Sequence, residues 1–343
     1  MKSEISVIMP VCNDERDVRS HALSILDRFP AVTRLFIVDA AVYPDGVSPL
    51  RTMAGTDVRI HIIEAPGAYP GAARNRAISR APDGIIVHLD GGCRPADGWL
   101  EALCEPLLSN AADYVTGEVL PMKTPTRWFG FHHDAAPLFF AISTWGVRSQ
   151  QCMAGGASVA YCKWVWEKAA GMPEWLRAGE DVLFARKVRL LGIRHCFAPD
   201  SICYWQVGPR IIDVLRRKYR YTAADMRLTP APAHLKATIG RLVFFAFLLC
   251  TAAAFHPALP AAGAAALLLI ARSTYKAIRR YYSRAGGSYR RLPPHIIFAI
   301  MPLCIAALYL FEAAGVIRGL PWRFARRKEN RALIQQYLIG GHT

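Results

Sequence analysis

Ile5-Ser-Val-Ile-Met9, running into Pro10-Val11-Cys12-Asn13-Asp14-Glu15, decides the fold. An apolar run rich in β-branched residues that stops at a proline and a polar cluster reads as a buried strand entering a turn. The same signature recurs at Leu35 to Val38, closed by Asp39, at Val58 to Ile63, and at Ile85 to Leu89, closed by Asp90. Helical patterns lie between these runs, around Arg16 to Arg28 and Gly71 to Arg80. Strand and helix in alternation predict an α/β domain on a mixed, mostly parallel sheet, with its ligand site at the C-terminal strand ends where Asp39 and Asp90 stand. No GxGxxG follows the first strand, which argues against a dinucleotide-binding Rossmann site.

Farther along, the pattern predicts a helix from Trp99 to Leu108, a strand near Val115, an irregular stretch from Pro121 to Trp145, and a strand near Ser158. A helix is expected from Glu180 to Leu191, stopped by Gly192, then two strand pieces, Arg194 to Phe197 and Ser201 to Trp205. Ile211 to Met226 sets Ile212, Leu215, Tyr219 and Met226 against a basic face, the pattern of a helix lying at a membrane interface.

The formal net charge of +16 raises nucleic acid as a partner, and its distribution argues against it. Residues 272–294 carry seven basic side chains and no acid, and residues 318–331 carry six against Glu329, so these segments supply twelve of the sixteen charges. They flank two apolar stretches, 242–271 and 296–317, as expected of loops that meet anionic head groups on the cytoplasmic side. The first stretch is long for one span and short for two of roughly 20 residues each. It reads as a hairpin or one long span, and 296–317 as a span or re-entrant helix in which Pro302 and Glu312 need partners. The expected organisation is a cytosolic domain over 1–226, a linker over 227–241, the stretch 242–271, a basic loop over 272–295, the stretch 296–317 and a basic tail over 318–343. The nine cysteines are odd in number and form no CxxC pair, against a disulfide framework or structural zinc site. No signal-peptide pattern opens the sequence. The expectation is a bacterial-type inner-membrane protein with a cytosolic first domain.

The chemistry-bearing pieces, in order, are Pro10 to Glu15, Asp39, Gly71-Ala-Ala-Arg74-Asn-Arg-Ala-Ile78, Leu89-Asp90-Gly91-Gly92-Cys93-Arg94-Pro95, Gly179-Glu180-Asp181, and Arg216-Arg217-Lys218-Tyr219-Arg220-Tyr221. Together they resemble the inverting family 2 glycosyltransferases of GT-A fold over about Ile5 to Tyr221, with a tail similar to that of polysaccharide-building members. The resemblance implies a nucleoside-diphosphate sugar bound by Pro10, Cys12, Asn13, Glu15, Asp39, Arg74, Asp90, Gly91 and Gly92. It implies Asp181 as the general base that deprotonates the acceptor hydroxyl. Glu180, Arg216, Arg217, Arg220, Tyr221 and Trp205 would serve the diphosphate and the acceptor.

Asp90 opens what in that family is an Asp-x-Asp pair, and Gly92 stands where the second acid belongs. A divalent cation, Mg²⁺ or Mn²⁺, would then keep Asp90 as its one protein carboxylate, with phosphates and waters completing its shell. Arg94 or the 216–220 cluster is the alternative counter-charge for the leaving diphosphate. No HExxH or GxSxG is present, so metallohydrolase and serine-hydrolase readings fail. The expected function is transfer of a sugar to a lipid-linked or polysaccharide acceptor at the membrane, with a catalytically degenerate scaffold as the alternative.

Overall fold

The computed structural model describes residues 4–12, 15–44, 46–122, 125–128, 131–134, 136, 140, 156–206, 210–228, 272, 275–285, 307–321 and 327–340. The chain divides into two compact units: residues 1–119, 149–206 and 333–343 form the first, and 120–148 with 207–332 the second.

The first unit is built on β1 (Ile5–Val11), β2 (Arg34–Asp39), β3 (Ile60–Glu64), β4 (Ile85–His88), β5 (Cys93–Pro95), β6 (Tyr114–Pro121), β9 (Val159–Cys162) and β10 (His195–Trp205). Their order is β3-β2-β1-β4-β9-β6-β10-β5. β3, β2, β1 and β4 are parallel neighbours, while β9 runs antiparallel to both β4 and β6. The sheet is mixed as expected, but parallel only in its β3-β2-β1-β4 half: β10 also runs antiparallel to β5, and the strand–helix alternation behind the expectation covers only the first four apolar runs. β1 is flanked on both sides by later strands, so the connections diverge there and open a crevice at the C-terminal ends.

The first strands are continuous apolar runs because both faces are covered. Val7 and Met9 of β1, Leu35 and Ile37 of β2, and Ile85 and Val87 of β4 face one core, shared with α1 (Glu15–Arg28) and α3 (Trp99–Leu108). Their neighbours Ile8, Phe36, Val38 and Ile86 face a second core, shared with α2 (Pro70–Ile78), α4 (Lys163–Lys168) and α5 (Glu180–Leu190). The two-residue period of a strand sorts alternate side chains into the two layers. In α1, Val18, Ala22, Ile25 and Leu26 form the apolar stripe that helical spacing requires.

Several boundaries differ from the sequence reading. Val58 is 88% exposed in a turn where Asp57 accepts from the Arg59 backbone and guanidinium, so β3 starts at Ile60. The two pieces expected around 194–205 are one strand, β10. The stretch expected to be irregular begins with the end of β6 and contains a hairpin, β7 (Pro125–Trp128) with antiparallel β8 (Phe131–Asp134). Short elements such as β5 and α4 show too few residues for a period to be visible. Residues 327–339, within the expected basic tail, are helical.

In the second unit, α6 (Ile211–Leu228) packs on a helix over 307–321. A Cβ on Gly315 would lie 2.7 Å from the Tyr219 carbonyl, and one on Gly319 would lie 2.4 Å from Met226 Cβ, so these glycines permit the close approach. Glu312, expected to need a partner, is buried and pairs with Lys218 Nζ at 3.2 Å. Among the described residues no helix is long and apolar enough to cross a membrane. The stretches 229–271 and 286–306, which hold the first expected span and much of the second, lie outside the described residues.

His21 of α1 is buried, and its Nε2 has no hydrogen-bond partner. Burial first, then the charges of Arg94 and Arg28, lower its pKa from 6.5 to about 3. The unfolded chain therefore takes up a proton that the folded chain refuses. His21 should cost stability progressively as pH falls from about 6.5 toward about 3, and His21→Leu should flatten that slope in urea titrations across this range.

Candidate active site

Arg74 is the centre of the site. It sits on α2, whose start at Pro70 uses the fixed proline φ and whose Gly71 lets the helix press on the following chain: a Cβ there would fall 2.2 Å from the Pro173 carbonyl oxygen. The Arg74 side chain is only 3% exposed. Its Nη2 donates to Asp90 Oδ1 at 2.7 Å and its Nη1 to Glu180 Oε1 at 2.7 Å, the latter across 106 residues of sequence. Burial alone would lower its pKa, but the carboxylates of Asp90, Glu180 and Asp181 outweigh burial and raise it. Burial pushes the Glu180 carboxyl up, with Arg74 opposing and Asp181 adding to the rise.

Asp181 follows Glu180 in the first turn of α5, entered through Gly179 at φ +85°, a left-handed value that glycine adopts without strain. Asp181 Oδ1 accepts from its neighbour's Val182 N–H at 2.8 Å, and Oδ2 accepts from the Gly156 N–H at 3.1 Å. Gly156 also lies against the guanidinium: a Cβ there would sit 2.7 Å from Arg74 Nη2. Beneath Arg74, buried His88 and Tyr161 share a hydrogen bond of 2.8 Å. Burial, with Arg74 nearby, holds His88 well below its ordinary pKa, while burial raises Tyr161, so this floor is neutral.

Asp90 opens a tight turn in which the Cys93 N–H donates to the Asp90 carbonyl at 2.9 Å. Gly91 packs against β1, where a Cβ would meet Val11 Cγ1 at 2.8 Å, whereas a Cβ on Gly92 would meet nothing within 4 Å. The Gly92 carbonyl accepts from the Gln206 N–H at 2.9 Å. Arg94 Nη1 donates to the Gly91 and Cys93 carbonyls at 3.0 and 3.1 Å, so Arg94 braces this turn. Trp205 pairs with Cys93 across β10 and β5 and packs against the first core.

Asp39 ends β2 and is buried. Its Oδ1 accepts from the Ala41 N–H at 3.0 Å, and its Oδ2 from the Tyr43 hydroxyl at 3.0 Å and from the Ser48 hydroxyl. This carboxylate organises the loop beyond β2, a role for Tyr43 and Ser48 that sequence reasoning missed. Pro10 is the penultimate residue of β1, which ends at Val11, and Cys12 is exposed just beyond it. Asn13 and the Glu15 side chain lie outside the described residues. Arg216, Arg220 and Tyr221 are exposed on α6 in the second unit, and Arg217 is half-buried on the same helix.

Among the described residues no cluster of three His, Cys, Asp or Glu side chains is set to hold a metal. Asp90, 38% exposed, offers one carboxylate beside the open space at Gly92. That fits a hard cation only if other oxygens, such as phosphates and waters, fill the rest of its shell.

Residues 6–167 match the family model described as Glycosyl transferase family 2. No curated protein sequence matches the chain. Among solved structures, the chain is similar to mannosyltransferase PcManGT from Pyrobaculum calidifontis in complex with GDP-Man and Mn²⁺, at 18% identity and TM-score 0.51 over 93% of this chain and 88% of that one. GalNAc-T7 with UDP, GalNAc and Mn²⁺ aligns at 12% identity and TM-score 0.46 over 65% of this chain, which spans about half, 51%, of its length. TarS of S. aureus aligns at 16% identity and TM-score 0.43 over 69% of this chain and 42% of its own.

Replacing Arg74 with Met strands Glu180 as a buried carboxylate without its cation, which should cost about 3–5 kcal/mol in chemical denaturation. Adding Glu180→Gln to that variant should return a large part of the loss.

Proposed function

We propose, on the premise that residues 6–167 are a glycosyl transferase family 2 domain, that the chain transfers a sugar from a nucleoside diphosphate to an acceptor with inversion at the anomeric carbon. The observation that carries this reading is the convergence of Asp90, Glu180 and Asp181 on Arg74 at the C-terminal edge of the parallel strands. The Asp90 turn would hold the donor's diphosphate, and the residues beyond β1 and β2 its nucleoside.

In that reading the acceptor hydroxyl attacks the anomeric carbon while Asp181 takes its proton. The new C–O bond forms as the bond to the departing diphosphate oxygen breaks. Glu180, tied to Arg74, fixes the first turn of α5 and hence the direction of Asp181. Asp181 is held by two backbone N–H groups, so its orientation is set before the acceptor arrives, which is how a positioned base lowers a barrier. A Mg²⁺ or Mn²⁺ ion held by Asp90 and the diphosphate would supply positive charge to the leaving group. Support for the ion comes from the half-exposed Asp90 carboxylate and from the Mn²⁺ in the PcManGT structure.

The acceptor we propose is lipid-linked or a growing polysaccharide at the inner face of a membrane. Support comes from the exposed Arg216, Arg220 and Tyr221 on α6, from the basic segments 272–294 and 318–331, and from the apolar composition of 242–271 and 296–317. Gly92 in place of a second acid favours one other reading, a degenerate scaffold that no longer turns over a donor.

Release of free nucleoside diphosphate from UDP-, GDP- and dTDP-sugars, with and without Mn²⁺ or Mg²⁺ and with membrane lipids, separates the two. Turnover should appear with one donor and fall about 100- to 10,000-fold in Asp181→Asn, with donor binding kept. Silence across the panel would leave the scaffold.

A further inference from the structure

Two residues far from the site in sequence, Tyr337 and Gly340, grip the segment that carries Glu180 and Asp181, both grips lying within the first unit. The Tyr337 hydroxyl donates to the Gly171 carbonyl at 2.8 Å, and the Tyr337 ring meets Trp175 edge-on with centroids 5.6 Å apart. Lys187 of α5 is buried at 1% exposure, donates from Nζ to the Gly340 carbonyl at 2.6 Å, and lies 4.4 Å from the centroid of the Tyr337 ring. A buried ammonium needs such partners, because without them it carries the full cost of leaving water.

These attachments bracket the first turn of α5, one before it at Gly171 and one after it at Lys187. The loop between is also fixed from the α2 side. Asn75, next to Arg74, donates from Nδ2 to the Met172 carbonyl at 2.9 Å and to Glu174 at 2.8 Å, and accepts at Oδ1 from the Met172 N–H and the Trp166 indole. Gly71 brings α2 against the Pro173 carbonyl, and a Cβ there would lie 3.5 Å from Glu180 Cβ. Any shift of the loop 171–175 is therefore carried to the Arg74–Glu180 pair and the base beside it.

We infer that Tyr337 and Lys187 are positioning residues for the transfer reaction: the 337–340 segment clamps the loop 171–175 and α5 so that Asp181 meets the acceptor in register. This rests on the function proposed above. The clamp acts on the first turn of α5 and touches neither the Asp90 turn nor the loop beyond β2. Its loss should slow the chemical step and leave donor binding alone.

The test uses the full chain with Tyr337→Phe, which keeps the ring and removes only the hydroxyl, and Lys187→Met, which keeps the bulk and removes the charge. Hydrogen–deuterium exchange needs no turnover: amides of 171–183 should exchange faster in both variants, while those of β1 and β4 stay protected. With the active donor, kcat should fall about three- to tenfold per lost contact, at unchanged donor KM and unchanged calorimetric affinity for the nucleoside diphosphate. Unaltered exchange at 171–183 overturns the clamp whatever the activity. Uniformly faster exchange across the sheet, or a kcat equal to wild type, overturns positioning in favour of plain structural support. A wild-type chain without turnover overturns the proposed function, and the positioning role falls with it even if the exchange pattern holds.

Discussion

A single guanidinium in a dry place organises this domain. Arg74 is cut off from water, and a buried cation is tolerated only where its charge is matched. Asp90 and Glu180 match the charge and each accept from one terminal nitrogen at 2.7 Å, Asp181 adds a third negative charge to its field, and Nε is left buried without a hydrogen-bond partner. The constraint is geometric as well as electrostatic. The planar fork has fixed donor directions, so the turn after β4 and the first turn of α5 must each arrive at one place relative to α2.

The backbone is shaped to make that possible. Four parallel strands alternate their side chains between two helical layers, which leaves their C-terminal ends as an edge where polar groups gather without breaking a core. Glycines then remove the bulk that would keep the elements apart. Gly71 lets α2 touch the chain at Pro173, Gly91 lets the Asp90 turn sit on β1, and Gly156 lets the backbone before β9 lie on the guanidinium while its N–H holds Asp181. The result is one ionic cluster linking the Asp90 turn, the proposed donor side, to the first turn of α5 with its proposed base.

Much of this was legible in the sequence, and what was not has physical reasons. Runs such as Leu35 to Val38 advertise buried strands because two-sided burial demands unbroken apolar residues, and Asp39 and Asp90 mark their ends. Glu180 and Asp181 show at a helix start because Gly179 and the following periodicity frame them. Which cation meets which carboxylate could not be read, since Arg74 and Glu180 pair across 106 residues and local pattern says nothing about such distances. Asp39 illustrates the opposite limit: its position was visible, but not that Ala41, Tyr43 and Ser48 engage both of its oxygens. β5 and the β7–β8 hairpin were missed because three or four residues cannot display a period. Lys187 and Tyr337 gave no signal, as one lysine on a helix and one tyrosine in a basic tail are unremarkable until folding brings them together.

Arg74 thereby makes Asp90, on the proposed donor side, and Glu180, beside the proposed base, one coupled unit. The coupling is tested by a double-mutant cycle of Asp90→Asn and Glu180→Gln, read out as stability in urea denaturation. A coupling of about 1 kcal/mol or more is expected, within the range found for residues of one ionic network. Strictly additive effects of the two substitutions would contradict it, and Arg74 would then be two separate salt bridges that happen to share a side chain.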